Sequence, residues 1–169
     1  MAEAHVGDTL EAMALEKGSS RIYLHNKAKS QVDVIEREKR ALIASWPITK
    51  GKVNVAMALD EANHRLFIAC RNGEIVLMDT QTGKEFAALP ITKGLDDLKY
   101  DAGGKRIYAA CNGTRMSTSS QTWITTNSLE VPTGPVGRTA LLVPDLKQYF
   151  VAVPQHGTTR AEVLVFEVH

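Results

Sequence analysis

Three polar residues at the starts of successive strand-like segments are the side chains of this chain best suited to bind a ligand. They are Asn54, Asp96 and Arg138. An amide and a guanidinium can hydrogen-bond a ligand, and a carboxylate can also act as a general base. We predict these three as binding candidates, provided that the fold brings their strands together.

A polar loop near the C-terminus supplies two further binding candidates, His156 and Arg160. The loop runs from Pro154 to Arg160 and joins two strand-like segments. It is interpreted either as a binding loop or as a solvated hairpin connection. The second interpretation is favoured, because polar loops are far commoner than binding sites.

The other reactive residue types form no pattern of a catalytic or metal site. None of the five histidines has a partner at a metal-ligand spacing, and the two cysteines form no Cys-x-x-Cys motif. A nucleophile elbow and a phosphate-binding glycine loop are also absent from the sequence. We therefore assign no catalytic residue, no metal and no cofactor. His25 is expected at a channel rim or in solvent, with solvent favoured, and His64 in a surface turn.

Asp96 and Asp97 are adjacent carboxylates, which raises the question of a catalytic pair. Neighbouring residues of a strand point to opposite faces of the sheet. The two carboxylates are therefore expected not to act together, with one facing a channel and the other solvent.

The elements that must position these residues recur along the chain. An Arg-hydrophobic-aromatic marker begins three strand-like segments, and a looser copy begins a fourth, at spacings of 44, 41 and 42 residues. The copies are Arg21-Ile22-Tyr23, Arg65-Leu66-Phe67, Arg106-Ile107-Tyr108 and Gln148-Tyr149-Phe150. Periods of this length indicate repeated units that bury their apolar faces against one another.

The clearest repeat predicts four short strands. Lys52 to Asp60 alternates apolar with small or polar residues, and Arg65 to Cys70 is an almost continuous apolar run. The dipeptide Asn72-Gly73 predicts a tight turn into a third strand, and Glu85 to Pro90 predicts a fourth. Four antiparallel strands in each repeat are typical of a β-propeller blade.

On this template the fold class is all-β, a β-propeller with about four repeat units in an incomplete ring. Residues 1–9 form an N-terminal tail, and residues 10–169 form the propeller repeats. The units are about 10–47, 52–90, 94–132 and 136–169, with about fifteen strands, and the last unit lacks its outer strand.

The repeats resemble the YVTN family of β-propeller repeats, which occurs in bacterial and archaeal lactonase-like and quinoprotein-like propellers. The residues that carry the resemblance are Arg65 to Asp79, Thr82-Gly83-Lys84 and Pro90 to Gly94. The family tetrapeptide is replaced here by Ile68-Ala69-Cys70-Arg71. Members of the family commonly have about seven blades, so the resemblance implies that these four units are part of a larger ring.

The third repeat loses its pattern between Thr114 and Leu129, where the sequence is polar and does not alternate. Two interpretations remain open, a divergent loop and a segment read in a shifted frame. The second interpretation predicts that the blade has lost its two outer strands and exposes strand edges.

Composition excludes several partner classes. Twenty basic and nineteen acidic residues give a net charge of +1, so no nucleic-acid partner is expected. The sequence has no apolar run of about 18 residues, so no membrane partner is expected. No signal peptide is visible, which predicts a cytoplasmic protein as written, or a periplasmic or secreted one if the true N-terminus is missing. Cys70 and Cys111 are predicted to be buried free thiols.

These observations favour a non-enzymatic β-propeller binding or scaffold module, with an unknown protein or small molecule bound at the channel mouth or loop face. The alternative is a fragment of a lactonase-like or quinoprotein-like propeller enzyme. An open half-propeller would expose an apolar flank at each end, and a homodimer could complete the ring.

Overall fold

The computed structural model describes residues 3, 6, 9–111, 115–122, 125–133 and 137–168. The predicted tail, 1–9, therefore lies outside the described residues apart from 3, 6 and 9. The chain divides into two compact units, Met1–Pro90 and Ile91–His169. In the described part of the chain, no helix is long and apolar enough to cross a membrane.

The first unit contains two four-stranded antiparallel sheets, each with its strands in sequential order. The first sheet consists of β1 Leu10–Leu15, β2 Arg21–Asn26, β3 Gln31–Glu36 and β4 Ala41–Pro47. The second sheet consists of β5 Asn54–Asp60, β6 Arg65–Cys70, β7 Glu74–Asp79 and β8 Glu85–Pro90.

The second unit contains one four-stranded sheet and one three-stranded sheet, again antiparallel and sequential. The third sheet consists of β9 Leu95–Asp101, β10 Arg106–Cys111, β11 Arg115–Thr122 and β12 Thr125–Pro132. The fourth sheet consists of β13 Thr139–Val143, β14 Gln148–Val153 and β15 Glu162–Glu167. The described residues thus contain the fifteen strands that the sequence predicts, and the last sheet lacks a fourth strand.

Each marker begins the second strand of its sheet, and the arginine of the first marker has a structural role. In the first sheet, Arg21 donates from Nε and Nη2 to the Glu16 carboxylate at 2.6 and 2.9 Å, and from Nη1 to the Thr80 carbonyl at 2.7 Å. Burial would raise the pKa of Glu16, but hydrogen bonds from Arg21, Ser19 and Tyr23 outweigh it and hold the pKa below its usual value.

The same acidic-to-arginine spacing recurs in the next two sheets. Asp60 lies opposite Arg65, and Asp101 lies opposite Arg106. In the fourth sheet the looser marker begins with Gln148, and the residue opposite it is Val143. The fourth sheet thus has neither the acid nor the arginine at these two positions.

Alternate residues of the strands build the core of the first unit. Tyr23, Val32 and Val34 of the first sheet pack in one cluster with Leu66 and Ile68 of the second. All five are 0–1% exposed, because each sheet presents an apolar face to the other. Apolar alternation in these strands therefore specifies both the register and the packing of the two sheets.

The second unit has a core of the same kind. Tyr108 and Ala110 of the third sheet pack with Tyr149, Val151 and Val153 of the fourth. The Tyr108 and Tyr149 rings are stacked with their centroids 5.1 Å apart. Burial raises the pKa of Tyr149 far above its usual value.

The third repeat keeps its two outer strands, so the prediction of their loss is wrong. β11 pairs with β12 in unbroken register from Arg115–Pro132 to Thr122–Thr125, and β11 also pairs with β10. Strand pairing is made by backbone groups, and threonine favours extended backbone, so a polar segment without alternation can still extend a sheet.

The cysteine prediction is confirmed, since Cys70 and Cys111 are both buried and free. Burial raises the pKa of the Cys70 thiol to about 12, so this thiol is protonated near neutral pH.

Candidate functional site

An open cleft of about 950 Å³ in the second unit is the candidate functional site. Its lining includes β9, the start of β13 and the two strand ends that flank the loop between β14 and β15. The lining residues are Asp96, Asp97, Arg138, Thr139, Ala152, Val153, Pro154, Ala161, Glu162 and Val163. Ligand sites in proteins commonly have volumes of about 300–1,000 Å³, and this cleft falls within that range.

A β-bulge in β9 brings both carboxylates of the adjacent pair to the cleft. Ala110 lies opposite Asp97 and Cys111 lies opposite Leu95, which leaves Asp96 as the extra residue. A bulge bends the strand and re-aims its side chains. The prediction that Asp96 and Asp97 face opposite ways, with one in solvent, is therefore wrong, because it assumed regular strand alternation.

Asp97 connects the two sheets of this unit. Its Oδ2 accepts a hydrogen bond from the Ala140 backbone N–H at 2.9 Å. Its Oδ1 accepts from the Lys99 ammonium at 2.9 Å and from the Leu98 N–H at 2.8 Å. Three donors, one of them charged, hold this carboxylate in place, so Asp97 positions the start of β13 beside the cleft.

Asp96 and Arg138 form the charged pair of the cleft. Arg138 Nη1 lies 3.4 Å from Asp96 Oδ2, and the side chains are 47% and 14% exposed. An exposed pair with this separation contributes little to stability. The Arg138 guanidinium is therefore able to change partner when a ligand enters the cleft.

The loop that follows β14 borders the cleft with its two ends, Pro154 and Ala161. Its centre is a tight turn in which the backbones of His156 and Thr159 pair in both directions, at 3.2 and 3.0 Å. Gly157 has φ +56° there, and a Cβ atom at this position would meet no atom within 4 Å. His156 and Arg160 are exposed on this turn and are not among the cleft-lining residues.

Asn54 belongs to the first unit and is not among the residues that line this cleft. It begins β5 opposite Cys70 and is 1% exposed, and its Nδ2 group has no hydrogen-bond partner among the described residues. Of the predicted candidates, the structure thus brings together Asp96 and Arg138 in the cleft.

His25 differs most from its sequence-based expectation. It lies within β2 and is 0% exposed, and neither ring nitrogen has a hydrogen-bond partner in the described part of the chain. Burial lowers its pKa to about 4, so the imidazole is neutral near pH 7. The expectation of a solvated histidine is wrong, because β2 continues through His25 to Asn26 and buries it. His64 is exposed in a turn with φ +55°, as expected.

The described residues contain no group of three or more histidine, cysteine or acidic side chains that could hold a metal ion. In the cleft, the groups on which chemistry could depend are two carboxylates in β9, a third at Glu162 and one guanidinium. This arrangement can bind polar and charged groups beside the apolar side chains of Ala152, Val153 and Val163.

Comparison with solved structures shows the fold. Hydrazine synthase from Kuenenia stuttgartiensis superposes with a TM-score of 0.82 at 15% identity, over 96% of this chain and 48% of that chain. The β-propeller domain of Cps50 (Swd1) from Myceliophteria thermophila superposes with a TM-score of 0.72 at 10% identity, over 88% of this chain and 50% of that chain.

These matches identify an all-β fold of the β-propeller type, with sheets that correspond to propeller blades. The chain spans about half the length of each of these two solved chains. No family model matches the sequence, and no curated protein matches it.

Proposed function

We propose that this chain is a non-enzymatic binding module of the β-propeller type, which holds a small ligand or a segment of a partner protein in the cleft between β9, β13 and the end of the fourth sheet. The observation that carries the proposal is the bulge at Asp96, which turns two neighbouring carboxylates toward one cleft. The resemblance of the repeats to the YVTN family fits this role, and we infer that the units are of that repeat type.

The hydrogen bonds of the cleft favour binding over catalysis. A general base needs a carboxylate that can take up a proton from the substrate. Asp97 instead accepts three hydrogen bonds, one from β13 and two from residues of its own strand, β9. Asp96 is paired with Arg138. The two groups supply charge and hydrogen bonds to a ligand, and Asp97 is also used by the fold itself.

The lining also suggests what the ligand is like. Three carboxylates and one guanidinium lie beside the apolar side chains of β14 and β15. A ligand that combines a polar, charged group with an apolar body matches such a surface. A free amino acid or a peptide end has this character.

Thermal-shift screening of metabolites and short peptides tests the proposal, followed by calorimetric titration of any compound that binds. Asp96→Asn removes one charge from the cleft and should weaken binding by about tenfold, a difference of about 1.4 kcal/mol. Asp145→Asn is the matched control, because Asp145 lies in the short 3-10 turn Pro144–Leu146 outside the cleft. Equal effects of the two variants would contradict the proposed site.

The enzymatic alternative is tested on the same protein with a panel of lactones. A binding module should give no turnover above the uncatalysed rate. Turnover that Asp97→Asn abolishes, in a variant that remains folded, would overturn the binding proposal in favour of a lactonase-like enzyme.

A further inference from the structure

Inside each unit the two sheets pack in the same way, and the positions of the repeat marker identify which sheet faces are in contact. One face of each sheet carries the residue in the second position of the marker, and the opposite face carries the residue in the third position. In the first unit, the third-position face of the first sheet, with Tyr23, packs against the second-position face of the second sheet, with Leu66. In the second unit, the third-position face of the third sheet, with Tyr108, packs against the second-position face of the fourth sheet, with Tyr149.

Among the described side chains, two faces of these four sheets carry several exposed large apolar residues. The first is the second-position face of the first sheet, where Leu15, Ile22, Ile35 and Leu42 lie opposite one another in register, and Met13 lies opposite Leu24. Its edge-strand residues are exposed, with Met13 at 69%, Leu15 at 49% and Leu42 at 44%, whereas Leu24 and Ile35 of the two central strands are 6% and 9% exposed.

The second exposed face is the third-position face of the fourth sheet. Leu141, Phe150 and Val165 lie opposite one another across its three strands, and Ala152 lies opposite Val163. Leu141 is 57% exposed, Val163 is 62% exposed and Val165 is 52% exposed. Phe150 is partly exposed, whereas the aromatic residues of the three other markers are 0–3% exposed.

Within each unit, a third-position face packs against a second-position face. The two exposed faces are one of each kind. A second-position face is open on the first sheet, and a third-position face is open on the fourth. Exposed apolar side chains that lie side by side on one face commonly mark an interaction site. The two solved chains compared above are about twice as long as this chain, so a ring of that size requires further blades.

We propose that these two faces bind a second copy of this chain, with the fourth sheet of one copy packed on the first sheet of the other and the reverse contact closing the pair. The second copy is the occupant because it carries both required faces in the matching orientation of the marker. Two copies that pair in this way leave neither face exposed, as expected for a closed dimer. The pairing does not depend on which ligand the cleft binds.

The pairing also bears on the cleft. Ala152 and Val163 line the cleft and belong to the open face of the fourth sheet. The first sheet of a second copy would therefore cover one side of the cleft. Ligand affinity is then expected to fall when the dimer dissociates.

The test uses one charged substitution on each face, measured by light scattering after size exclusion. Met13→Asp charges the first-sheet face, Val165→Asp charges the fourth-sheet face, and Leu146→Asp is the control. Leu146 is 61% exposed in the turn Pro144–Leu146, outside both faces. Wild type and the control should have a mass of about 37 kDa, twice the 18.5 kDa of one chain.

Each face variant alone should dissociate at least about tenfold more readily, because a carboxylate would be buried in an apolar contact. An equimolar mixture of the two variants is the decisive sample. One undamaged contact can form in the mixture, between the first sheet of the Val165→Asp copy and the fourth sheet of the Met13→Asp copy. The mixture should therefore associate more strongly than either variant by itself.

Circular dichroism of each variant checks that the sheets are intact, and substitution at such exposed positions should leave them so. An 18.5 kDa wild-type protein would overturn the proposal, since nothing would then cover the open faces. Masses that keep growing with concentration would overturn the closed pair. A mixture no more associated than the single variants would overturn the pairing of unlike faces.

Discussion

Mild acid should destabilise this fold through His25. The folded-state pKa of His25 is about 4, and the pKa of an unfolded histidine is about 6.5. Because the folded pKa is depressed, the unfolded chain takes up the proton first as the pH falls. The stability that depends on neutral His25 is complete above pH 6.5 and is lost as the pH falls toward 4.

The size of the effect follows from the difference of about 2.5 pKa units, which corresponds to a loss of about 3 kcal/mol once both states are protonated. Between pH 7.5 and pH 5 the expected loss is about 2 kcal/mol. The carboxyl groups whose pKa values are lowered, such as Glu16 and Asp79, titrate below this window and do not contribute to it.

The assay is urea unfolding at pH 7.5 and pH 5, for wild type, His25→Leu and His64→Asn. Neither ring nitrogen of His25 has a partner, so leucine removes the titration without removing a hydrogen bond. His64→Asn is the control, because His64 is exposed in a positive-φ turn that asparagine tolerates. All samples are compared at one protein concentration, because a dimer unfolds in a concentration-dependent way.

Wild type and the His64 variant should each lose about 2 kcal/mol between the two pH values, and His25→Leu should lose much less. An equal loss in wild type and His25→Leu would refute the reasoning, because the destabilisation would then come from other groups.

Three further substitutions test the packing and the hydrogen bonds. Arg21→Met leaves the buried Glu16 carboxylate without its cation and should lower the free energy of unfolding by about 3 kcal/mol. A loss below about 1 kcal/mol would contradict this, because it is the value expected of a solvated ion pair. Gly51→Ala places a Cβ atom against Cys70 Sγ and should cost about 1–3 kcal/mol in thermal or urea unfolding. Adding Cys70→Ala should restore part of that loss, and a double variant as unstable as the sum of both changes would contradict the overlap. Asp97→Ala leaves the Ala140 N–H without its acceptor and should cost about 2 kcal/mol, with faster amide exchange at Ala140.

The regular blades could be predicted from the sequence because local patterns specify them. In the second sheet, the apolar run from Arg65 to Cys70, the turn at Asn72-Gly73 and the strand Glu85 to Pro90 all agree with the structure. Each signal there acts over a few residues, and burial on both faces reinforces it. The loss of β11 and β12, which one of the two interpretations predicts, is wrong because strand pairing depends on backbone groups and leaves no trace in the hydropathy of these polar segments.

The site was predicted only in part, because its geometry depends on register. Asp96 and Arg138 were identified from their positions at the starts of strands. The bulge that turns Asp97 to the same side exists only in the pairing of β9 with β10, which no local pattern encodes. His25 was misplaced for a related reason, since its burial depends on where β2 ends rather than on its own polarity.

Sedimentation equilibrium of the unmodified chain tests most directly whether unlike sheet faces pair between two copies. The mass should approach about 37 kDa, twice 18.5 kDa, and stay there as the concentration rises. A mass of 18.5 kDa at every concentration would contradict this pairing, because the apolar faces of the first and fourth sheets would then be stable in water without a partner.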